Sequence, residues 1–112
     1  MTITITQQGM ELTPAIRQYG EEKMEAMQKY FDSIRHMDVV VGVANAHQHK
    51  GKNFFCKVDV QVGSDVMQVE KDAEDLYKAI DKVKDHLRVE LVEWKKRLAE
   101  RSNGRSASEE VV

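Results

Sequence analysis

At 112 residues, 41% hydrophobic and 32% charged, the chain has room for one domain with one modest core and not for two. A formal net charge of −2 argues against nucleic-acid binding through overall charge alone, though not against a local basic surface. There is no run near the roughly 18 apolar residues of a membrane span, no signal-peptide pattern, and a lone cysteine that cannot form an internal disulfide, so a reducing cytoplasmic location is expected.

Residues 2–8 alternate Thr and Ile, a period of two with β-branched side chains that predicts a strand with Ile3 and Ile5 facing inward. After a break at Gly9, Thr13 is a helix cap and Pro14 suits the first helical position, where its missing N–H costs nothing. Ile16, Met24, Met27 and Phe31 keep helical spacing, with Tyr19 and Tyr30 at the edge of that face. Gly20 weakens this helix by about 1 kcal/mol relative to alanine, and a close packing contact would explain it. Asp32-Ser33 ends the helix.

Residues 39–44 are apolar on both faces and predict a second strand, central in its sheet. A polar loop follows at 45–53, holding His47, His49, Lys50 and Lys52. The third strand, 54–62, sets Phe54, Cys56, Val58, Val60 and Val62 against Phe55, Lys57, Asp59 and Gln61. Cys56 thus reads as a small buried hydrophobe. Gly63-Ser64-Asp65 makes a tight connection to a short fourth strand at 66–71, and strands two to four should form an antiparallel meander.

Residues 73–101 predict a long amphipathic helix. Leu76, Ile80, Val83, Leu87, Leu91, Trp94 and Leu98 recur at steps of three and four and form one apolar stripe. From about Ser102 the chain has no apolar periodicity and is expected to be a disordered tail, leaving 1–101 as the folded domain. The order β-α-β-β-β-α predicts an α+β fold, a four-stranded sheet with both helices on one face.

Chemistry finds little purchase here. His47 and His49 are too few ligands for a metal, and there is no Gly-rich phosphate loop, nucleophile elbow or sequence-evident Cys–His pair. An enzyme is not expected. Met24, Met27, Met37 and Met67 read as core filling. The long helix carries eight Lys/Arg against seven Asp/Glu, but Lys84, Arg88 and Lys95 fall together just beside the buried stripe. Two readings of these cations stand level: compensation of the helix dipole, strongest for the run that includes Lys95, Lys96 and Arg97, and a phosphate-facing patch.

Two stretches carry a family resemblance. Residues 10–19, Met-Glu-Leu-Thr-Pro-Ala-Ile-Arg-Gln-Tyr, are followed by Lys23, Met24 and Met27; residues 74–81 read Glu-Asp-Leu-Tyr-Lys-Ala-Ile-Asp. Together they resemble the short ribosome hibernation proteins, the hibernation-promoting factor and ribosome-associated inhibitor A group, also called light-repressed or S30AE proteins. The likeness runs collinearly over about residues 1–98. It implies a fold similar to a double-stranded RNA-binding domain, binding to the small ribosomal subunit in the tRNA and mRNA channel, and inhibition of translation under stress or in stationary phase. No cofactor, membrane or small-molecule substrate is implied. The residues it nominates for ribosomal RNA are Arg17, Lys23 and Lys29 on the first helix and Lys95 and Lys96 on the second; Lys84, His86 and Arg88 join them as candidates from the second helix itself, Lys84 and Arg88 being cations near the family's usual positions but not at them. Where the family has a basic run on that second helix, this chain has His86, Val89, Val92 and Glu93. Val89 and Val92 lie off the buried stripe, so the competing expectation is a protein-interaction or dimerisation module on the same fold. Long family members add a dimerisation domain, and the few polar residues after this helix would not supply one.

Overall fold

The computed structural model describes residues 2–43 and 54–105 and consists of β1 (Thr2–Gln8), α1 (Pro14–Tyr30), β2 (Ile34–Val43), β3 (Phe54–Val62), β4 (Asp65–Ala73) and α2 (Leu76–Arg105). The four strands form one sheet in the order β1-β2-β3-β4. β1 pairs with β2 in parallel, as the strand–helix–strand connection through α1 requires, and β2, β3 and β4 form the expected antiparallel meander. The α+β architecture, and the central position of β2, are as the hydrophobic patterns imply.

The strand register lines Ile5, Val39, Val58 and Val69 across the sheet, with Ile3, Met37, Val60 and Met67 in the next row. Both rows lie on the face that the helices cover. Met37, Val39, Val58 and Val60 are almost wholly buried there. The opposite face is mixed, with Val40, Phe55, Val66 and Lys57, but carboxylates outnumber cations on it: Asp38 lies opposite Asp59, and Glu70 and Asp72 lie on the neighbouring strand. His36 Nε2 lies 3.0 Å from Asp38 Oδ1, and Gln68 Nε2 donates to Asp59 Oδ1 at 2.7 Å, which offsets part of that repulsion.

α1 starts as its residues direct. Thr13 Oγ1 accepts from the Ile16 N–H at 3.2 Å, and Pro14 occupies the first turn. Gly20 is buried against β1, where an added Cβ would sit 3.3 Å from Ile5 Cδ1. This is the close contact that offsets its poor helix propensity. α2 opens on Asp75, whose carboxylate accepts from the Lys78 N–H at 2.8 Å. Leu76, Ile80, Val83, Leu87, Leu91 and Trp94 are buried, together with Met24, Met27 and Phe31 from the α1 side. Cys56 is fully buried, and desolvation pushes its thiol up to about 12, so it stays protonated as a core residue.

Several boundaries differ from the expected ones, for physical reasons. β2 begins at Ile34 rather than 39, because Ile34 and Met37 supply inward side chains on either side of a register shift between Ile34 and His36. β4 extends to Ala73, since Asp72 and Ala73 pair with Phe55 and Phe54. Ala73 is therefore strand, and α2 starts three residues later. α2 also runs four residues beyond Arg101, into the expected tail; residues 106–112 lie outside the described residues. Leu98, expected in the buried stripe, is 42% exposed. A 30-residue helix is about 45 Å long, whereas strands of seven to ten residues reach only about 23–34 Å, so the last turns overhang the sheet. The 45–53 loop with His47, His49, Lys50 and Lys52 also lies outside the described residues. Among the described residues no helix is long and apolar enough to cross a membrane.

Candidate nucleic-acid interface

The two helices run in the same direction over the sheet, and three contacts define the flanks they turn to each other. Tyr19 packs edge-on against Tyr77 with ring centroids 4.9 Å apart, and its hydroxyl donates to Asp81 Oδ1 at 2.6 Å. Further along, the Arg88 guanidinium lies 5.9 Å from the centroid of the Tyr30 ring. On α2, Tyr77, Asp81, Lys84, Arg88 and Lys95 follow one another at steps of three, four and seven, so all five share the flank that faces α1. On α1, Tyr19, Lys23 and Tyr30 do the same for the flank that faces α2. Lys23 Nζ sits 5.1 Å over the Tyr19 ring, held near the junction by cation–π attraction.

The outcome is a row of cations along the inter-helix seam: Lys23, Lys84, Arg88 and Lys95. Asp81, a carboxylate on the same flank, accepts the Tyr19 hydrogen bond. Lys84 is half-buried and contacts Asp85 at 3.4 Å. Arg88 and Lys95 have no ion-pair partner among the described residues. Such cations remain available to an external anion, and the carboxylates of the far sheet face would repel one. A chain with net charge −2 therefore presents a locally positive helix side and an acidic sheet side.

The other nominated cations sit off this row. Lys96 and Lys29 are each one residue from the seam flanks, about 100° round toward solvent. Lys96 also lies 4.0 Å from Glu93. Arg17 stands two residues before Tyr19 and so about 160° away from the α2-facing flank. His86 is likewise on the opposite flank of α2, in a groove shared with Glu70, Asp72 and Lys82, and its Nε2 lies 3.6 Å from Glu90. The folded chain thus gathers Lys23, Lys84, Arg88 and Lys95, leaves Lys29 and Lys96 at the margin, and separates Arg17 and His86 from them. Val89 and Val92 are exposed, at 60% and 42%.

Comparison with known proteins identifies the family. The family model described as sigma 54 modulation protein / S30EA ribosomal protein matches residues 3–99. The chain belongs to that family. It is 27% identical over all 112 residues to the ribosome hibernation promoting factor of Azotobacter vinelandii, covering 99% of that protein. It is 31% identical over 81 residues to the factor of the same name from Acidithiobacillus ferridurans, which it covers completely over 72% of its own length. The ribosome hibernation promotion factor of Deinococcus radiodurans is 31% identical over 97 residues, 86% of this chain but only half of that longer protein. Among solved structures, the N-terminal domain of Thermus thermophilus Protein Y superimposes with a TM-score of 0.66 at 28% identity, covering 83% of this chain and 94% of that domain. A ribosomal subunit interface protein from Coxiella burnetii gives 0.75 at 24% identity over 86% of this chain and 99% of that one, a likeness of fold. The family is one of non-enzymatic ribosome-binding proteins.

The geometry also explains what the second of the two stretches that carry the family resemblance does. In residues 74–81, Asp75 caps α2, Tyr77 meets Tyr19, Ala79 and Ile80 are buried, and Asp81 receives the Tyr19 hydroxyl. Residues 74–81 thus form a helix–helix junction that sets the seam's geometry through contacts within the chain. Tyr30 is the residue that sequence reasoning places least well. Expected at the edge of the buried face, it is 65% exposed and carries Arg88. Its spacing of eleven from Tyr19, which repeats the α2-facing flank, is the available signal.

Proposed function

We propose that this chain is a ribosome hibernation factor that binds the small ribosomal subunit through the seam between α1 and α2. It occupies the channel used by tRNA and mRNA and so stops translation under stress or in stationary phase. The observation that carries the reading is the row Lys23, Lys84, Arg88 and Lys95 on one side of the molecule. Cations spaced along two parallel helices fit the phosphates of a folded ribosomal RNA, whose affinity rests largely on neutralised phosphates. Family membership and relatives named ribosome hibernation promoting factor over nearly their whole length support it. Such a protein acts in the cytoplasm, where ribosomes translate.

Sucrose-gradient sedimentation with purified small subunits, large subunits and whole ribosomes tests this reading. The protein should travel with small subunits and whole ribosomes at low salt and be displaced by excess tRNA and mRNA. Sedimentation only with large subunits, or with none, contradicts it.

A second reading has its own observation. Val89 and Val92 expose an apolar strip on α2, which suits a partner helix or a second copy of the chain. Light scattering separates the two: a dimer abolished by Val89→Lys, without ribosome binding, would favour the interaction module.

A further inference from the structure

Among the described residues, the groove at the C-terminal end of the seam differs in its lining from the grooves around it, including the adjoining one with Asp85 and Glu93. Its apolar lining is Tyr30, Phe31, Val92 and Ala99, and its cations are Arg88, Lys95 and Lys96, with a volume of about 440 Å³. Among the described residues no carboxylate lines it. The groove beside β4 includes Glu70, Asp72 and Asp85, and the one under the overhanging end of α2 includes Asp65 and Glu100. An apolar site bordered by three cations suits neither a free inorganic anion nor a neutral apolar ligand. It suits a ligand that joins an apolar planar group to a negative one.

Tyr30 sharpens the point. A tyrosine 65% exposed at a helix end does no core packing, and its ring is paired with the Arg88 guanidinium at 5.9 Å. Aromatic rings and guanidinium planes are the two protein surfaces on which unpaired nucleobases stack. Lys95 and Lys96 stand where they can meet the phosphates on either side of such a base, with Glu93 4.0 Å from Lys96 drawing off part of its charge.

We infer that this groove takes a single unpaired nucleotide of an RNA strand, its base stacked on Tyr30 and Arg88 and its flanking phosphates met by Lys95 and Lys96. The inference rests on the ribosome-binding reading and adds a base contact to the phosphate contacts of the seam. Phosphate contacts alone confer no positional preference along an RNA, whereas one stacked base fixes register.

The test is ribosome affinity across a salt series for the wild type, Tyr30→Ala, Tyr30→Trp and Lys95→Ala. Because Tyr30 is exposed, Tyr30→Ala should keep its melting temperature. It should bind roughly tenfold or more weakly with an unchanged salt slope, the behaviour expected when base stacking is removed. Tyr30→Trp should retain binding, and Lys95→Ala should lower the slope by about one. Chemical probing should find one ribosomal RNA nucleotide whose reactivity changes with the wild type and not with Tyr30→Ala. If the wild type binds and Tyr30→Ala binds equally well, the base site is wrong and the ribosome reading stands. If the wild type does not bind at all, both fall. A Tyr30→Ala variant that loses self-association but keeps ribosome affinity would assign the groove to a second copy of the chain and overturn the inference.

Discussion

Tyr19 donates its hydroxyl to Asp81 Oδ1 at 2.6 Å, across 62 residues of sequence and the junction of the two helices. The bond fixes how far α1 and α2 slide along each other, and hence the spacing of Lys23 from Lys84 and Arg88. It is charge-assisted and half-buried, so Tyr19→Phe should destabilise the fold by about 1.5 kcal/mol in chemical denaturation at neutral pH. The bond also has a pH signature. It pushes Tyr19 up from 10.0 to about 12, with desolvation and the Asp81 charge adding to it. The folded state then holds the phenolic proton more tightly than the unfolded state. The stabilisation is complete below about pH 10 and is lost as the pH rises through about 12. An ultraviolet phenolate titration should show one late tyrosine that disappears in Tyr19→Phe. A wild type without a late phenol would contradict the bond.

The other end of α2 is held by a comparable tie. Trp94 Nε1 donates to Asp65 Oδ2 at 2.6 Å, bringing the helix against the β3–β4 turn. The turn itself needs Gly63, whose φ of +58° favours glycine and where an added Cβ would lie 3.0 Å from the Trp94 ring. Asp65→Ala leaves a largely buried indole N–H without its partner and should cost about 2 kcal/mol. Tryptophan emission gives a local check, since Trp94 is the chain's single tryptophan. It should move to longer wavelength in Asp65→Ala, and an unchanged spectrum and stability would rule the tie out.

The overhang of α2 makes its stripe unequal along its length. Leu91 is wholly buried and Leu98 is 42% exposed, although both fit the same periodicity. Leu91→Ala should therefore cost about 2–5 kcal/mol, and Leu98→Ala well under about 1 kcal/mol. Equal losses in thermal or denaturant melts would mean that the helix end packs against something.

How much of this is legible in the sequence depends on which force fixes each feature. β3 is readable to the residue because its alternation is strict, and the α1 start because Thr13-Pro14 encodes it chemically. β2 reads short because Arg35, His36 and Asp38 interrupt its apolar run; they face away from the helices or flank the register shift, and only pairing with β3 shows the strand beneath. Leu98 is misplaced because periodicity records which side a residue faces, and not whether anything lies opposite. The candidate interface is half-legible for the same reason. Helical spacing groups Lys84, Arg88 and Lys95, but the matching α1 flank can be chosen only once Tyr19 is seen against Tyr77 and Asp81. That choice brings in Lys23 and Tyr30 and turns Arg17 away.

The most direct test of the central claim is the salt dependence of ribosome binding in two sets of variants. One removes the seam cations together (Lys23→Ala, Lys84→Ala, Arg88→Ala, Lys95→Ala); the other removes the two that face elsewhere (Arg17→Ala, His86→Ala). A seam that meets RNA phosphates predicts that the first set lowers the slope of log affinity against log salt by roughly 0.7–0.9 for each phosphate no longer neutralised. The second should leave both slope and affinity nearly unchanged. A slope preserved in the seam variant, or abolished in the Arg17 and His86 variant, would contradict the assignment of the seam as the RNA-facing surface.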